Sequence, residues 1–253
     1  MGIDLDKMRN KYAKLSNKGN SSDDRFWKPE EGTQTIRVVC PPDGDPFRDY
    51  LYHYRLGSDS NVTFISPRTF GKTDPIAEFG NQLWNEGTDE SKEMARKFFP
   101  KMRVFAPVLV RGEEDKGIRI WGFSKTTYER LLNIVLDPEY GDITDLHNGT
   151  DIRLDYGKKA GQLYASTELR PNRRTTALAK TEKKVKELLE TMPSFSEIFV
   201  ETTTEDAKTL LEQTLNSGET TDTSDGSVHL KGGKKTDATN VTDIENAFDE
   251  LLA

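Results

Sequence analysis

Cysteine is almost absent from this 253-residue chain: Cys40 stands alone, so no internal disulfide can form, which fits a reducing compartment. Histidine is nearly as scarce. His53, His147 and His229 are too far apart in sequence for a metal-ligand spacing. No apolar run approaches the roughly 20 residues needed to span a bilayer, so no membrane partner is expected. The first residues carry no apolar signal-peptide core, and no secretory leader is expected. Nucleophile-elbow, phosphate-loop and dinucleotide fingerprints are all missing, and no carboxylate pair stands out from the solvated acids. An enzyme is therefore not expected and no cofactor is implied. A nuclease-like arrangement of carboxylates meeting in space is kept as an alternative. Hydrophobic residues make up 34% and charged residues 31%, which points to a compact core with solvated segments attached.

The last eleven residues hold Asp243, Glu245, Asp249 and Glu250, with Ile244, Ala247, Phe248 and Leu251 as an apolar set. They follow a stretch of mainly Ser, Thr, Gly, Asp and Lys with no apolar periodicity. An acidic, faintly amphipathic tip on such a tether is an interaction element. From Thr214 onward eight acids face three lysines, so the tail carries most of the net charge of −7. The opposite end is basic. Residues 4–18 read as a short helix with Leu5, Met8, Tyr12 and Leu15 on one face, while Lys7, Arg9, Lys11, Lys14 and Lys18 make the remainder cationic.

Between these ends, Thr33–Cys40 and Phe47–Leu56 read as strands. Asp74-Pro75 opens a helix carrying Ile76, Phe79, Leu83 and Trp84, and Thr88 opens a second that ends before Pro100. Lys101–Arg111 and Gly117–Phe123 read as a hairpin, and Ser124 caps a helix with Tyr128, Leu131, Leu132 and Val135 on its apolar face. Thr150–Tyr156 and Gln162–Leu169 read as another hairpin. Lys180–Thr191 and Thr204–Asn216 read as polar helices. Short strands interrupted by helices indicate an α+β domain around a small barrel or sheet. The expected division is a basic arm (1–24), a core (25–216), and a linker with acidic tail (217–253).

Cations and rings are interleaved on the expected strands. Tyr50, Tyr52, Tyr54 and Arg55 share one; Arg96, Lys97, Phe98, Phe99, Lys101, Arg103 and Phe105 form a dense run; Lys158, Lys159, Tyr164, Arg170, Arg173 and Arg174 come later. Between Arg153 and Lys184 nine cations face three anions. If Val104 and Ala106 face one way, Lys101, Arg103 and Phe105 share the opposite face. A positive groove that follows phosphates, with exposed rings that stack on bases, is the pattern of single-stranded nucleic-acid binders. Phe99, Trp121 and Tyr128 are expected inside the core.

This order of features resembles the helix-destabilising single-stranded DNA-binding proteins of T-even-type tailed phages. The shared series runs from the basic arm through Trp27-Lys28, the Ile36-Arg37-Val38 strand ending in proline, Tyr52-His53-Tyr54, Asp74-Pro75-Ile76 and the Arg103–Val110 strand. It continues with the helix after Gly122-Phe123-Ser124, the late hairpin with Tyr164, and the acidic tail. The resemblance implies an oligonucleotide-binding (OB) barrel that holds one DNA strand without sequence preference, acting in replication, recombination and repair in the cytoplasm of an infected host cell. It implies that residues 1–20, with Lys7, Arg9, Lys11 and Lys14, contact a neighbouring copy head to tail along the strand and make binding cooperative. It implies that the tail, through Asp243, Glu245, Phe248, Asp249 and Glu250, docks replication and recombination proteins. Arg37, Arg55, Arg103, Phe105 and Tyr164 match groove positions, with Phe105 where the family often has tryptophan. The best-known members also hold a structural zinc on one histidine and three cysteines. His53 matches the histidine, but residues 64–84 contain no cysteine, and one imidazole cannot supply four ligands. A zinc-free subdomain packed by Ile76, Phe79, Leu83 and Trp84 is expected instead. An RNA-binding OB module, and a protein-interaction adaptor in which arm and tail pair, are the alternative readings.

Overall fold

The computed structural model describes residues 23–57, 61–158, 161 and 164–217. The arm with Lys7, Arg9, Lys11 and Lys14, the hairpin lysine Lys159, and the tail with Asp243, Glu245, Phe248, Asp249 and Glu250 lie outside the described residues. Among the described residues the chain is mixed α+β. Eight strands make one sheet: β1 (Phe26–Trp27), β2 (Gly32–Val38), β3 (Arg48–Leu56), β4 (Val62–Ile65), β5 (Lys101–Val110), β6 (Ile118–Ser124), β7 (Gly149–Gly157) and β8 (Ser166–Thr176). The hydrogen-bonded path runs β1-β6-β5-β2-β7-β8, and β3 joins at β5, carrying β4 on its other edge.

β5 is the hub. Its first half pairs with β3 (Lys101 opposite Tyr52 through Phe105 opposite Arg48), and its last residues pair with β2 (Val108 opposite Val38 through Val110 opposite Ile36). Pro107, which has no N–H to donate, stands at the gap where one neighbour ends and the other begins. Its carbonyl is still used, accepting from the Val39 N–H at 2.9 Å.

The helices are α1 (Pro75–Glu86), α2 (Asp89–Phe98), α3 (Lys125–Val135), α4 (Glu182–Glu190), α5 (Phe195–Ile198) and α6 (Thr204–Ser217). The expected starts hold. Asp74 accepts from the Ile76 and Ala77 N–H groups with Pro75 in the first turn, Thr88 accepts from Ser91, and Ser124 accepts from Thr127. Each such cap contributes about 1 kcal/mol. α1 and α2 approach closely because Gly80 presents no side chain: a Cβ there would lie 3.1 Å from Phe98 Cβ. Phe79 meets Phe98 edge-on at 5.0 Å. Leu56 of β3 and Ala207 and Leu210 of α6 complete this cluster. Trp84 departs from the expected packing: it is 40% exposed and rests at the rim on Phe99, 5.9 Å between centroids.

The sheet is open, so the expected closed barrel is not what forms. Among the described residues no ladder joins β1 to β8. β1 is only two residues long and gives way to Lys28-Pro29, so it offers too little edge to pair. α3 stands in the interval, where Arg130 Nη1 donates to the Thr167 carbonyl of β8 at 2.6 Å. β8 also differs from its expected bounds, running from Ser166 through Thr176 rather than Gln162–Leu169. The expected strand stops at Leu169, short of Pro171–Arg174. That run remains a strand because a register shift opposite Thr150–Ile152 accommodates Pro171 on the sheet's edge.

The main core lies on one face of the sheet. Ile36, Val38, Val104, Ala106, Val108, Trp121, Phe123, Ile152 and Leu154 pack there with Leu131 and Ile134 of α3. Each fully buried aliphatic side chain contributes about 1.5–3 kcal/mol.

Candidate nucleic-acid interface

Strand alternation places a different set of side chains on the opposite face. On β5, Lys101, Arg103 and Phe105 point away from the Val104/Ala106 core, as their spacing predicts. On β3, Arg48, Tyr50, Tyr52 and Tyr54 form a row beside them, with Tyr50 directly opposite Arg103 and Tyr52 opposite Lys101. Tyr52 and Tyr54 stack at 5.9 Å with 29° between ring planes. On β6 the neighbouring position is Gly122, where a Cβ would come within 2.8 Å of the Phe105 ring. That glycine is what lets Phe105 lie flat against β6. Burial pushes the Tyr50 and Tyr54 hydroxyls up to about 12, with nearby Arg48 and Arg103 respectively acting in the opposite sense. Both phenols are therefore neutral ring donors at physiological pH.

Arg103 also lines a cleft of about 260 Å³ at the end of the β5–β6 hairpin. Lys28, Arg130, Tyr156, Ser124 and Thr127 share its wall, together with Thr167 of β8. Three cations converge there without an acidic residue in the lining. Among the described residues none of the three is paired with a carboxylate. Lys28 and Arg130 were not among the residues expected at a binding site. Their only sequence signal is position, Lys28 beside a tryptophan and Arg130 on the polar side of α3. Tyr164, just before β8, is 73% exposed, and Lys158 at the end of β7 is exposed as well.

The other expected site residues separate into groups. Arg55 is exposed at a bulge between His53 and Leu56 and holds φ at 59°, which costs an L-residue about 1–2 kcal/mol. Arg96 and Lys97 are exposed in the last turn of α2, where cations complement the helix dipole. Arg170 is exposed but spends its charge on Glu168 at 3.3 Å and Asp155 at 4.0 Å, while Arg173 and Arg174 are exposed farther along β8.

Two expectations need correction. Arg37 is fully buried and is not on a groove surface. Its guanidinium pairs with Asp151 at 2.8 Å and donates to the carbonyls of Gly149 and Thr176 at 2.8 and 2.9 Å, so it ties β2 to β7 and β8. Arg111 Nη2 donates to the same Asp151 oxygen at 3.0 Å, and its Nε lies 3.2 Å from both carboxylate oxygens. Phe105 lies on the expected face but is also fully buried, beneath Phe199 at 4.6 Å.

The family's zinc does not fit these residues. His53 Nε2 lies 2.8 Å from Asp74 Oδ2, and both side chains are fully buried. Ser66 Oγ donates to the same carboxylate, whose other oxygen caps α1. One imidazole and one carboxylate already engaged with each other do not make a four-ligand site. Burial alone would raise the Asp74 pKa; hydrogen bonds from His53, Ser66 and the helix N–H of Ala77 outweigh it and hold the group below its ordinary value.

No protein-family model matches the chain, and a search of curated proteins gives no match. The resemblance to the phage proteins rests on the order of its motifs. Among the described residues no helix is long and apolar enough to cross a membrane.

Proposed function

We propose that this chain is a non-enzymatic protein that binds single-stranded DNA without sequence preference. The observation that carries the reading is the junction at Arg103, where a cleft with three carboxylate-free cations meets a row of tyrosines on one sheet face, Tyr54 half-buried and Tyr50 and Tyr52 covered in this structure. Cations of this kind neutralise phosphates and release counterions, and rings stack on any base. Tyr164, 73% exposed, adds a ring open to solvent.

Further parts of the reading rest on the resemblance. The sheet, with β5 shared between β3 and β2, is taken as an opened OB-type barrel. Cooperative, head-to-tail coating through the arm, docking of replication and recombination proteins by the tail, and a place in the cytoplasm of a phage-infected cell belong to the same proposal. The test is a titration of fluorescently labelled oligo(dT) followed by anisotropy at two salt concentrations, repeated with matched RNA and with a mixed-sequence strand. Binding that weakens steeply with salt and is equal for the DNA sequences is expected. Tighter binding to the RNA strand would assign the face to RNA, and no binding to any strand would overturn the proposal.

A further inference from the structure

Residues 191–203, between α4 and α6, cross the ring-bearing face as a strap. Its central turn, α5, brings Phe195 and Phe199 over β3 and β5. Phe199 stacks on Tyr50 at 4.2 Å with 29° between planes, and Phe195 stacks on Phe199 at 6.0 Å and 21°. The Arg48 guanidinium, which also pairs with Asp43 and Asp45, lies 5.8 Å from the Phe195 ring centroid and ends the column. The order is a protein ring, two strap rings and a cation. Two stacked bases of a single strand, held between an aromatic and an arginine, make the same arrangement.

The strap is held by apolar side chains: Phe199 and Ile198 are buried in one cluster with Tyr50, Tyr52, Phe105 and Ile120, and Phe26 meets Phe199 edge-on at 6.2 Å. Among the described residues no backbone hydrogen bond joins it to the sheet. Its polar ties are Thr202 Oγ1 to the Ile65 carbonyl at 2.8 Å, and a solvent-exposed pair between Lys72 and Glu201 at 2.9 Å. A cavity of about 740 Å³ lies along it, walled by Arg48, Tyr50 and Phe70 on one side and Met192, Phe195 and Phe199 on the other. The flanking helices are anchored separately, Val185 and Leu188 of α4 against Leu109 and Ile118, and Ala207 and Leu210 of α6 against Leu56 and Ile76. The strap can therefore lift while both ends stay docked.

We propose that the Tyr50–Phe105 face is a nucleobase-stacking site occupied in the free protein by Phe195 and Phe199, which a bound single strand displaces. This inference rests on the single-stranded DNA reading above. It gives Phe105, covered in this structure, a place in the complex. It also makes the strap a competitor: affinity is lowered by the fraction of molecules in which the face is closed.

The test uses two charge-neutral variants of the full chain, Phe195→Ala and Thr202→Ala, so that a change in affinity does not arise from net charge. Both should bind labelled oligo(dT) about three- to tenfold more tightly than wild type, since each lowers the cost of opening. In parallel, wild type is digested with chymotrypsin with and without oligo(dT), and cleavage after Phe195 and Phe199 is mapped by mass spectrometry. Added DNA should expose these two sites. Wild-type binding with unchanged or weaker affinity in both variants, or with protection of Phe195 and Phe199, would overturn the strap proposal and leave the DNA reading intact. No oligo(dT) binding by wild type would overturn both.

Discussion

The two faces of the β3–β5–β6 region are made by alternate residues of the same strands, yet they are built for different ends. One carries Val104, Ala106, Trp121 and Phe123, closed by α3 through Leu131 and Ile134. The other carries Tyr50, Tyr52 and Phe105 beside Arg103 and Lys101, and its cover is a short strap of two phenylalanines. Rings and aliphatic side chains packed together under a whole helix are hard to open. The rings on the other face lie under a four-residue turn that has fewer anchors: Ile198 and its two phenylalanines, one hydroxyl and a surface ion pair. A sheet in which each strand alternates thus provides a rigid support and an adaptable surface one residue apart.

The sharpest way to separate support from surface is the buried charge network that joins β2 to β7. Asp151→Ala removes the carboxylate shared by Arg37 and Arg111 and leaves Arg37 buried without its counter-ion. The expected loss is about 3–5 kcal/mol of stability, read from urea denaturation. A smaller loss would mean that Arg37 is not the interior tie described above. Next is Gly122→Ala, on the ring-bearing face, whose new Cβ would press on the Phe105 ring at 2.8 Å. Overpacking of this kind costs about 1–3 kcal/mol, and a stability unchanged from wild type would show that the ring yields freely.

On the surface side, Tyr164→Ala should leave the urea midpoint almost where it was, within about 0.5 kcal/mol. It should also weaken oligo(dT) binding by about 1–3 kcal/mol if its ring stacks on a base. The smallest effect comes from acid. Asp74 has a folded-state pKa below its ordinary value of 3.8, so its contribution is fully present above that value and is lost as pH falls through the folded pKa. Urea midpoints measured from about pH 5 down to pH 2 should decline along a curve that Asp74→Asn lacks. Parallel curves for the two proteins would place the acid sensitivity elsewhere.

Much of the frame was legible in sequence because its signals are local. Asp74-Pro75, Thr88 and Ser124 announce helix starts with side chains that bond their own first turns. The Lys101–Phe105 alternation announces a two-faced strand. Arg37 misleads because what buries it, Asp151, is remote in sequence and meets it only when β2 pairs with β7. A cation between Ile36 and Val38 has the same local appearance whether it faces a groove or a carboxylate. Phe195 and Phe199 sit in a Ser- and Pro-containing segment too short to show periodicity, so nothing local marks them as a cover. The barrel expected from the family's pattern needed an edge-to-edge closure, and the two-residue β1 is too short to provide it.

The claim that this face binds DNA through its cations is tested most directly by the salt dependence of oligo(dT) affinity for wild type and for Lys101→Ala/Arg103→Ala. The double variant should show a slope of log affinity against log salt that is shallower by about 0.7 for each phosphate contact removed, with an unchanged urea midpoint. Parallel slopes for the two proteins would contradict it.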